Sequence, residues 1–288
     1  MRIVVLGAGG MLGRDLCPLL AERHETVALA RADADVTDAP GLEAHLRELE
    51  PEVVINLAAA THVDRCEQEP DWAYRLNAWG AWSAASAAEA VGARLIHIST
   101  DFVFSGDSER AYTEWDATDP ISVYGASKLA GETAVWRACR RATVVRTQWL
   151  YGRQGASFPR AILNAARKRP EGGLRVVADQ FGAPTYTRHL ARKLAWLVDW
   201  PRDGLYHVNN AGECSRYEWA TELLRLAGIT EVPVTPIAAA EWPAPAPRPQ
   251  PRSTLRRYAL ELMGADDLPD WKEGLSEFVT ELREAGEL

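Results

Sequence analysis

Apolar, β-rich runs of four or five residues recur along the first half of the chain, at Ile3 to Leu6, Thr26 to Ala30, Val53 to Leu57 and Leu95 to Ser99. Between them lie longer stretches with helical spacing: one from Met11, one near Gly41 to Leu49 and one across Trp72 to Val91. A fifth run, Thr143 to Arg146, follows a helix that carries Tyr124. Strand and helix alternating in this way predict an α/β protein, a doubly wound parallel sheet covered on both faces with right-handed crossovers. Ligands of such sheets bind where loops diverge from the carboxyl ends of the strands. Thr100, Asp101 and the segment after Arg146 are positions of that kind.

Past Tyr151 the alternation loosens. Strands are expected at Leu174 to Val177 and Leu205 to Val208, with a helix from Thr187 to Val198 between them and another from Tyr217 to Ala227. Residues 1–150 are therefore expected to form the sheet domain with the Tyr124 helix. Residues 151–288 are expected to form mainly a smaller substrate-binding lobe at the sheet's carboxyl edge, with segments able to return to the sheet. The proline-dense stretch Trp242–Arg252 reads as extended, either a connector or a binding element, because proline lacks the amide donor a helix needs. No internal repeat is visible.

An apolar fraction of 47% over 288 residues is ample for a buried core. A net charge of −8 excludes a general nucleic-acid binder, since no basic block is present to neutralise a phosphate backbone. Cys17, Cys66, Cys139 and Cys214 are scattered, with no metal-ligand spacing, so they read as reduced thiols in a cytoplasmic protein and no metal is expected. The opening apolar run stops at Gly7 without a cleavage site, and nothing approaches the ~18 apolar residues of a membrane span. Trp72, Trp79, Trp82 and Trp136 fall in helical stretches, where they are expected to pack a core or a subunit contact.

The first strand runs straight into Gly7-Ala8-Gly9-Gly10-Met11-Leu12-Gly13, whose glycines at 7, 10 and 13 give a GxxGxxG spacing. A tight turn, close approach of main-chain N–H groups and a helix N-terminus make this a cradle for the pyrophosphate of a dinucleotide. At the end of the second strand an acid would bind ribose hydroxyls, whereas an arginine would accept a 2′-phosphate. Arg31 stands there, which favours NADPH and leaves NADH possible. Asp35 and Val36 are expected near the adenine, and Asn56, Ala58, Ala59 and Ala60 form a small-residue strand end where the cofactor passes close.

Tyr124 and Lys128 are four residues apart and share a helix face, so a phenol and an ammonium can address one substrate. Only four of the chain's 32 basic residues are lysines, which makes this pairing informative. Beside the glycine loop it points to nucleotide-dependent redox chemistry on a carbonyl or alcohol.

The glycine loop, Ser99-Thr100-Asp101 at a strand end, the Tyr124 and Lys128 pair and the asparagine-alanine strand end together resemble the extended short-chain dehydrogenase/reductase superfamily, with its Rossmann-type sheet. Within it, Ile98 to Phe104, Arg146 to Gly152, Asp179 to Thr185 and Arg248-Pro249 resemble the dTDP-4-dehydrorhamnose reductase family over nearly the whole chain. The resemblance implies reduction of the C4 ketone of a dTDP-linked 6-deoxyhexose. Tyr124 would protonate the carbonyl oxygen, Lys128 would lower the phenol's pKa and hold the nicotinamide ribose, and Thr100 would orient the same oxygen. Asp101, Phe102 and Trp149 would shape the sugar pocket, and Arg248, with Arg252 as a second candidate, would meet the diphosphate. A homodimer is possible in such a family. The family often has tyrosine where this chain has Phe102, so the sugar or its orientation can differ from the rhamnose precursor.

Three other activities occur on similar chains. A dehydratase needs a second acid after Asp101, where Phe102 stands, and a nucleotide-sugar epimerase usually has an acid in place of Arg31. A non-catalytic NADP-binding regulatory subunit, like that of methionine adenosyltransferase, would bind NADPH without turning it over on a sugar.

Overall fold

The structure is a computed structural model that describes residues 1–168, 171–200, 202–242, 244, 246–249 and 251–288. Its centre is a sheet of six parallel strands, β1 (Arg2–Leu6), β2 (Glu25–Leu29), β3 (Val53–Asn56), β4 (Arg94–Thr100), β5 (Ala142–Thr147) and β6 (Gly204–His207), in the order β6-β5-β4-β3-β1-β2. The chain crosses from β2 at one edge to β3 on the other side of β1, so the loops after β1 and β3 diverge and leave a crevice at their carboxyl ends.

Side chains of β1 alternate between two cores. Ile3 and Val5 face the helices Met11–Ala21 and Thr187–Asp199, while Val4 and Leu6 face Ala39–Leu49, Gly80–Ala90 and Val123–Ala138. The helix Thr187–Asp199 lies beside the first helix, with Leu190, Leu194 and Leu197 packed among Leu12, Leu16 and Leu20. Together with β6 it carries part of the second half of the chain back onto the main sheet. A third core, built on Ile162, Trp219, Leu223 and Phe278, joins the helices Phe158–Arg167, Arg216–Ala227 and Trp271–Glu284 to the strand pair Leu174–Val177 and Val234–Ile237. Helix Arg216–Ala227 begins with a reciprocal cap: Ser215 Oγ accepts from the Glu218 amide at 3.1 Å, and Glu218 accepts from the Ser215 amide at 2.7 Å.

The helix expected across Trp72 to Val91 is interrupted. Pro70–Tyr74 leads through a π turn, Arg75–Trp79, into Gly80–Ala90. The turn points Asn77 inward, where it binds the amide of Ala60 at 2.8 Å, the carbonyl of Ala60 at 3.1 Å and Ser127 Oγ at 2.9 Å. Trp79 and Trp136 are 47% and 43% exposed, so of the two roles expected of them, core or subunit contact, they do not fill the first. In the proline-dense stretch, Pro243, Pro245 and Gln250 lie outside the described residues, and 246–249 are neither helix nor strand. Among the described residues no helix is long and apolar enough to cross a membrane, and no side-chain cluster has the make-up of a metal site.

Candidate active site

The glycine loop is dictated by close contacts. Gly7 has φ +74°, and a Cβ there would stand 2.8 Å from the Ala58 nitrogen. A Cβ on Gly13 would stand 2.4 Å from the Ala8 carbonyl oxygen, so the first helix presses against the turn. Gly10 is the N-cap and offers no side-chain acceptor to the first-turn amides. Those amides open at the positive end of the helix onto a cavity of about 490 Å³, lined by Gly7, Gly10, Met11, Leu12 and Gly13. Such a cradle fits a pyrophosphate.

The same cavity is lined by Thr100, Tyr124 and Lys128. Thr100 closes β4; its Oγ1 accepts from the Phe102 amide at 3.2 Å and donates to Asp101 Oδ1 at 3.0 Å. Tyr124 and Lys128 sit on helix Val123–Ala138, which Ser122 caps by accepting from the Gly125 amide at 3.1 Å. The helix and the turn that follows β4 approach closely, since a Cβ on Gly125 would meet the Phe102 carbonyl oxygen at 2.1 Å. Burial pushes the Tyr124 phenol well above its ordinary pKa, opposed by its hydrogen bond with Thr100. Lys128 Nζ donates to the Ile98 carbonyl at 2.6 Å, and burial pushes the ammonium down to about 8. Phe102 meets the Tyr124 ring edge-on, centroids 5.2 Å apart, so its contribution is apolar packing.

Asp101 is buried, accepts from Ser253 Oγ at 2.6 Å, and is pushed up to about 6 by desolvation. Trp149 holds φ +46°, an uncommon conformation for a bulky residue. Its indole is clamped by the Arg216 guanidinium 3.5 Å from the ring centroid and by stacking on Trp219 at 5.7 Å. Gly182, in the Asp179 to Thr185 run, leaves the space for it: a Cβ there would stand 2.6 Å from the indole. A second cavity, about 890 Å³, adjoins through Arg216 and Arg248 and is walled by Phe158, Ile162, Val176 and Trp242. A glycine loop at a helix N-terminus, a Thr–Tyr–Lys cluster and a largely apolar second cavity that shares two arginines with the first can hold a dinucleotide beside a nucleotide-linked ketone.

The family model described as the RmlD substrate binding domain matches residues 1–284. A crystal structure of a dTDP-4-dehydrorhamnose reductase from Clostridium acetobutylicum is 41% identical, with TM-score 0.95 over 98% of this chain and 100% of that one. The chain belongs to the dTDP-4-dehydrorhamnose reductase family. A second structure bearing that name, from Bacillus anthracis in complex with NADP, is 38% identical with TM-score 0.94, covering 97% of this chain and 99% of that one. A probable dTDP-4,6-dihydroxy-2-methyloxan-3-one 4-ketoreductase of Streptomyces antibioticus is 41% identical over 96% of this chain and 94% of that protein.

Not every residue expected to serve the dTDP-4-dehydrorhamnose reductase site lies in it. Ala59, Asp101, Phe102, Trp149 and Arg248 line the catalytic cavity. Arg31 is exposed outside the lining, within a turn in which Asp33 accepts from the Ala30 amide at 2.9 Å. Asp35 turns back to Thr37, accepting from its amide and hydroxyl at 2.8 Å each, and Val36 is buried against Gly80. Asn56 and Ala60 are buried, and Ala58 abuts Gly7; these three shape the loop from behind. Arg252 pairs with Glu213 at 3.1 Å and lines neither cavity. Sequence reasoning missed Arg216, which lines both, and Asn77 and Ser253, which hold the Ala60 loop and Asp101. No local motif marks them, because each reaches the site from a distant segment.

Proposed function

We propose that this chain reduces the C4 ketone of a dTDP-4-keto-6-deoxyhexose to the alcohol, with NADPH as the preferred reductant and NADH as a possible one. The observation that carries the reading is the convergence of Thr100, Tyr124 and Lys128 on the cavity that the glycine loop opens into. When bound, the cofactor supplies a hydride to the carbonyl carbon. Tyr124 delivers the proton to the oxygen that becomes the alcohol, and Thr100 holds that oxygen in line. Lys128 turns its ammonium into the cavity toward the ribose and the phenolate left by proton transfer. Asp101, Phe102 and Trp149 shape the sugar site. Arg216 and Arg248 meet the diphosphate, and the chamber walled by Phe158 and Trp242 takes the base, so that residues 151–288 mainly serve the nucleotide sugar. Arg31, exposed just after β2, would read a 2′-phosphate from outside the cavity lining. Four free thiols accord with a cytoplasmic enzyme.

Two relatives favour this substrate class, one through NADP and one through a ketosugar other than the rhamnose precursor. The test is loss of NADPH absorbance with dTDP-4-keto-6-deoxyglucose, with and without a 3,5-epimerase, followed by NMR of the product. Oxidation only with the epimerase assigns the rhamnose precursor, and oxidation without it assigns another deoxysugar. Tight NADPH binding with no oxidation of it on any dTDP-4-ketosugar would overturn the reading in favour of a regulatory subunit.

A further inference from the structure

Behind the site, Lys128 meets a buried polar chain that the reduction chemistry does not use. Its Nζ lies 3.5 Å from His97 Nε2. His97 is in register with Asn56 on the neighbouring strand, and its Nδ1 is 3.2 Å from Asn56 Nδ2. Asn56, His97 and Lys128 are at most 2% exposed.

The Asn56 amide cannot turn over, because its Oδ1 accepts the Ala58 N–H at 3.1 Å. Its Nδ2 therefore faces the imidazole, and an amide nitrogen only donates. His97 Nδ1 has to be the acceptor, which leaves the ring's one proton on Nε2 and excludes the imidazolium. Burial, aided by the charge of Lys128, also holds His97 well below its ordinary pKa. Lys128 thus faces an N–H where a lone pair would otherwise stand, and its one acceptor on that side is the Ile98 carbonyl.

We propose that His97, locked as its Nε2–H tautomer by Asn56, is a positioning residue for Lys128: it denies the ammonium an acceptor behind the site, so the remaining N–H bonds turn into the cavity and the proton is held less tightly. The inference rests on the reading of Lys128 as the catalytic cation. The other titratable groups around Lys128 are Tyr124 and Glu132, one turn away on its own helix, while Asp101, in the turn after β4, lines the same cavity. Glu132 is engaged by Arg146 at 2.7 Å and Ser99 at 2.5 Å, and its charge favours the ammonium against the effect of burial. Burial is what lowers the Lys128 ammonium.

The test uses the full chain labelled with 15N-histidine and 13C-lysine. Only four lysines are present, so the Lys128 signal can be assigned by its loss in Lys128→Met. The wild type is expected to show His97 as Nε2–H throughout the neutral range. His97→Leu removes the opposing N–H, so the titration of Lys128 and the alkaline limb of kcat/KM should both rise by about one pH unit. His97→Gln can present its oxygen to Asn56 and its N–H to Lys128, and should keep both near wild type. An Nδ1–H tautomer or an imidazolium in the wild type overturns the proposal without any variant, as does an unchanged Lys128 titration in His97→Leu. A protein inactive on every ketosugar but showing the expected tautomer and titration would sink the reductase reading alone.

Discussion

Replacing Arg216 by leucine tests whether the second lobe recognises the nucleotide sugar through this one cation. The guanidinium stacks 3.5 Å from the centre of the Trp149 ring and lines both cavities. Loss of the stacking removes ~0.5–1 kcal/mol of support for the indole. Loss of charge-assisted hydrogen bonds to a diphosphate removes a further ~1.5–3 kcal/mol. The sum, ~2–4 kcal/mol, corresponds to roughly a 30- to 700-fold rise in KM for the dTDP-ketosugar at 1.4 kcal/mol per decade. NADPH affinity should change little, because the glycine loop that would hold it is built from a different part of the chain. The assay is steady-state NADPH oxidation over a range of sugar nucleotide, with NADPH affinity measured separately by fluorescence titration. A variant whose KM stays within about threefold of wild type would refute the role of Arg216 and move the diphosphate to Arg248 alone. A large loss of NADPH affinity would refute the division of the two cavities between two ligands.

Three further outcomes are expected. Tyr124→Phe removes the proton donor while keeping the ring against Phe102, so kcat should fall by about 10³-fold or more with NADPH affinity kept; near-normal turnover would sink the acid assignment. Gly182→Ala drives a methyl into the indole, since a Cβ there would lie 2.6 Å from it, and should lower kcat/KM by about tenfold or more with altered tryptophan fluorescence; an unchanged emission spectrum would refute the clamp. Asp101 has a folded pKa raised to about 6, so its contribution to stability is present below the ordinary carboxylate pKa and is lost as pH rises toward and through 6. Asp101→Asn should therefore raise Tm relative to wild type at pH 7.5 by more than at pH 4.5, and the reverse ordering in paired thermal melts would refute the buried charge.

Legibility along the chain followed the range of the interactions. The strand runs, the helix behind the glycine loop and the Tyr124 and Lys128 spacing are local patterns, and each appears where its residues stand in line. Arg31, Asp35 and Val36 were read by their distance from a strand end, but the loop's own hydrogen bonds, Asp33 to Ala30 and Asp35 to Thr37, decide where those side chains point. The Trp72 to Val91 helix was legible as a helix. The π turn within it was not, because it exists to bring Asn77 against Ala60 and Ser127.

The sequence by itself determined the parallel sheet, the glycine turn into the first helix and the placing of Tyr124 and Lys128 on one helix face. Period, glycine spacing and an i to i+4 interval are properties of neighbouring residues and survive without the rest of the molecule. Tertiary structure decided which cation stacks on Trp149, what Lys128 is bonded to, and why Asp101 and Tyr124 are shifted. Those outcomes depend on burial and on partners far away in sequence: Arg216 against Trp149, His97 behind Lys128, Ser253 on Asp101. A charge's energy is set by the medium and the groups around it, and those are assembled only when segments distant in sequence pack together.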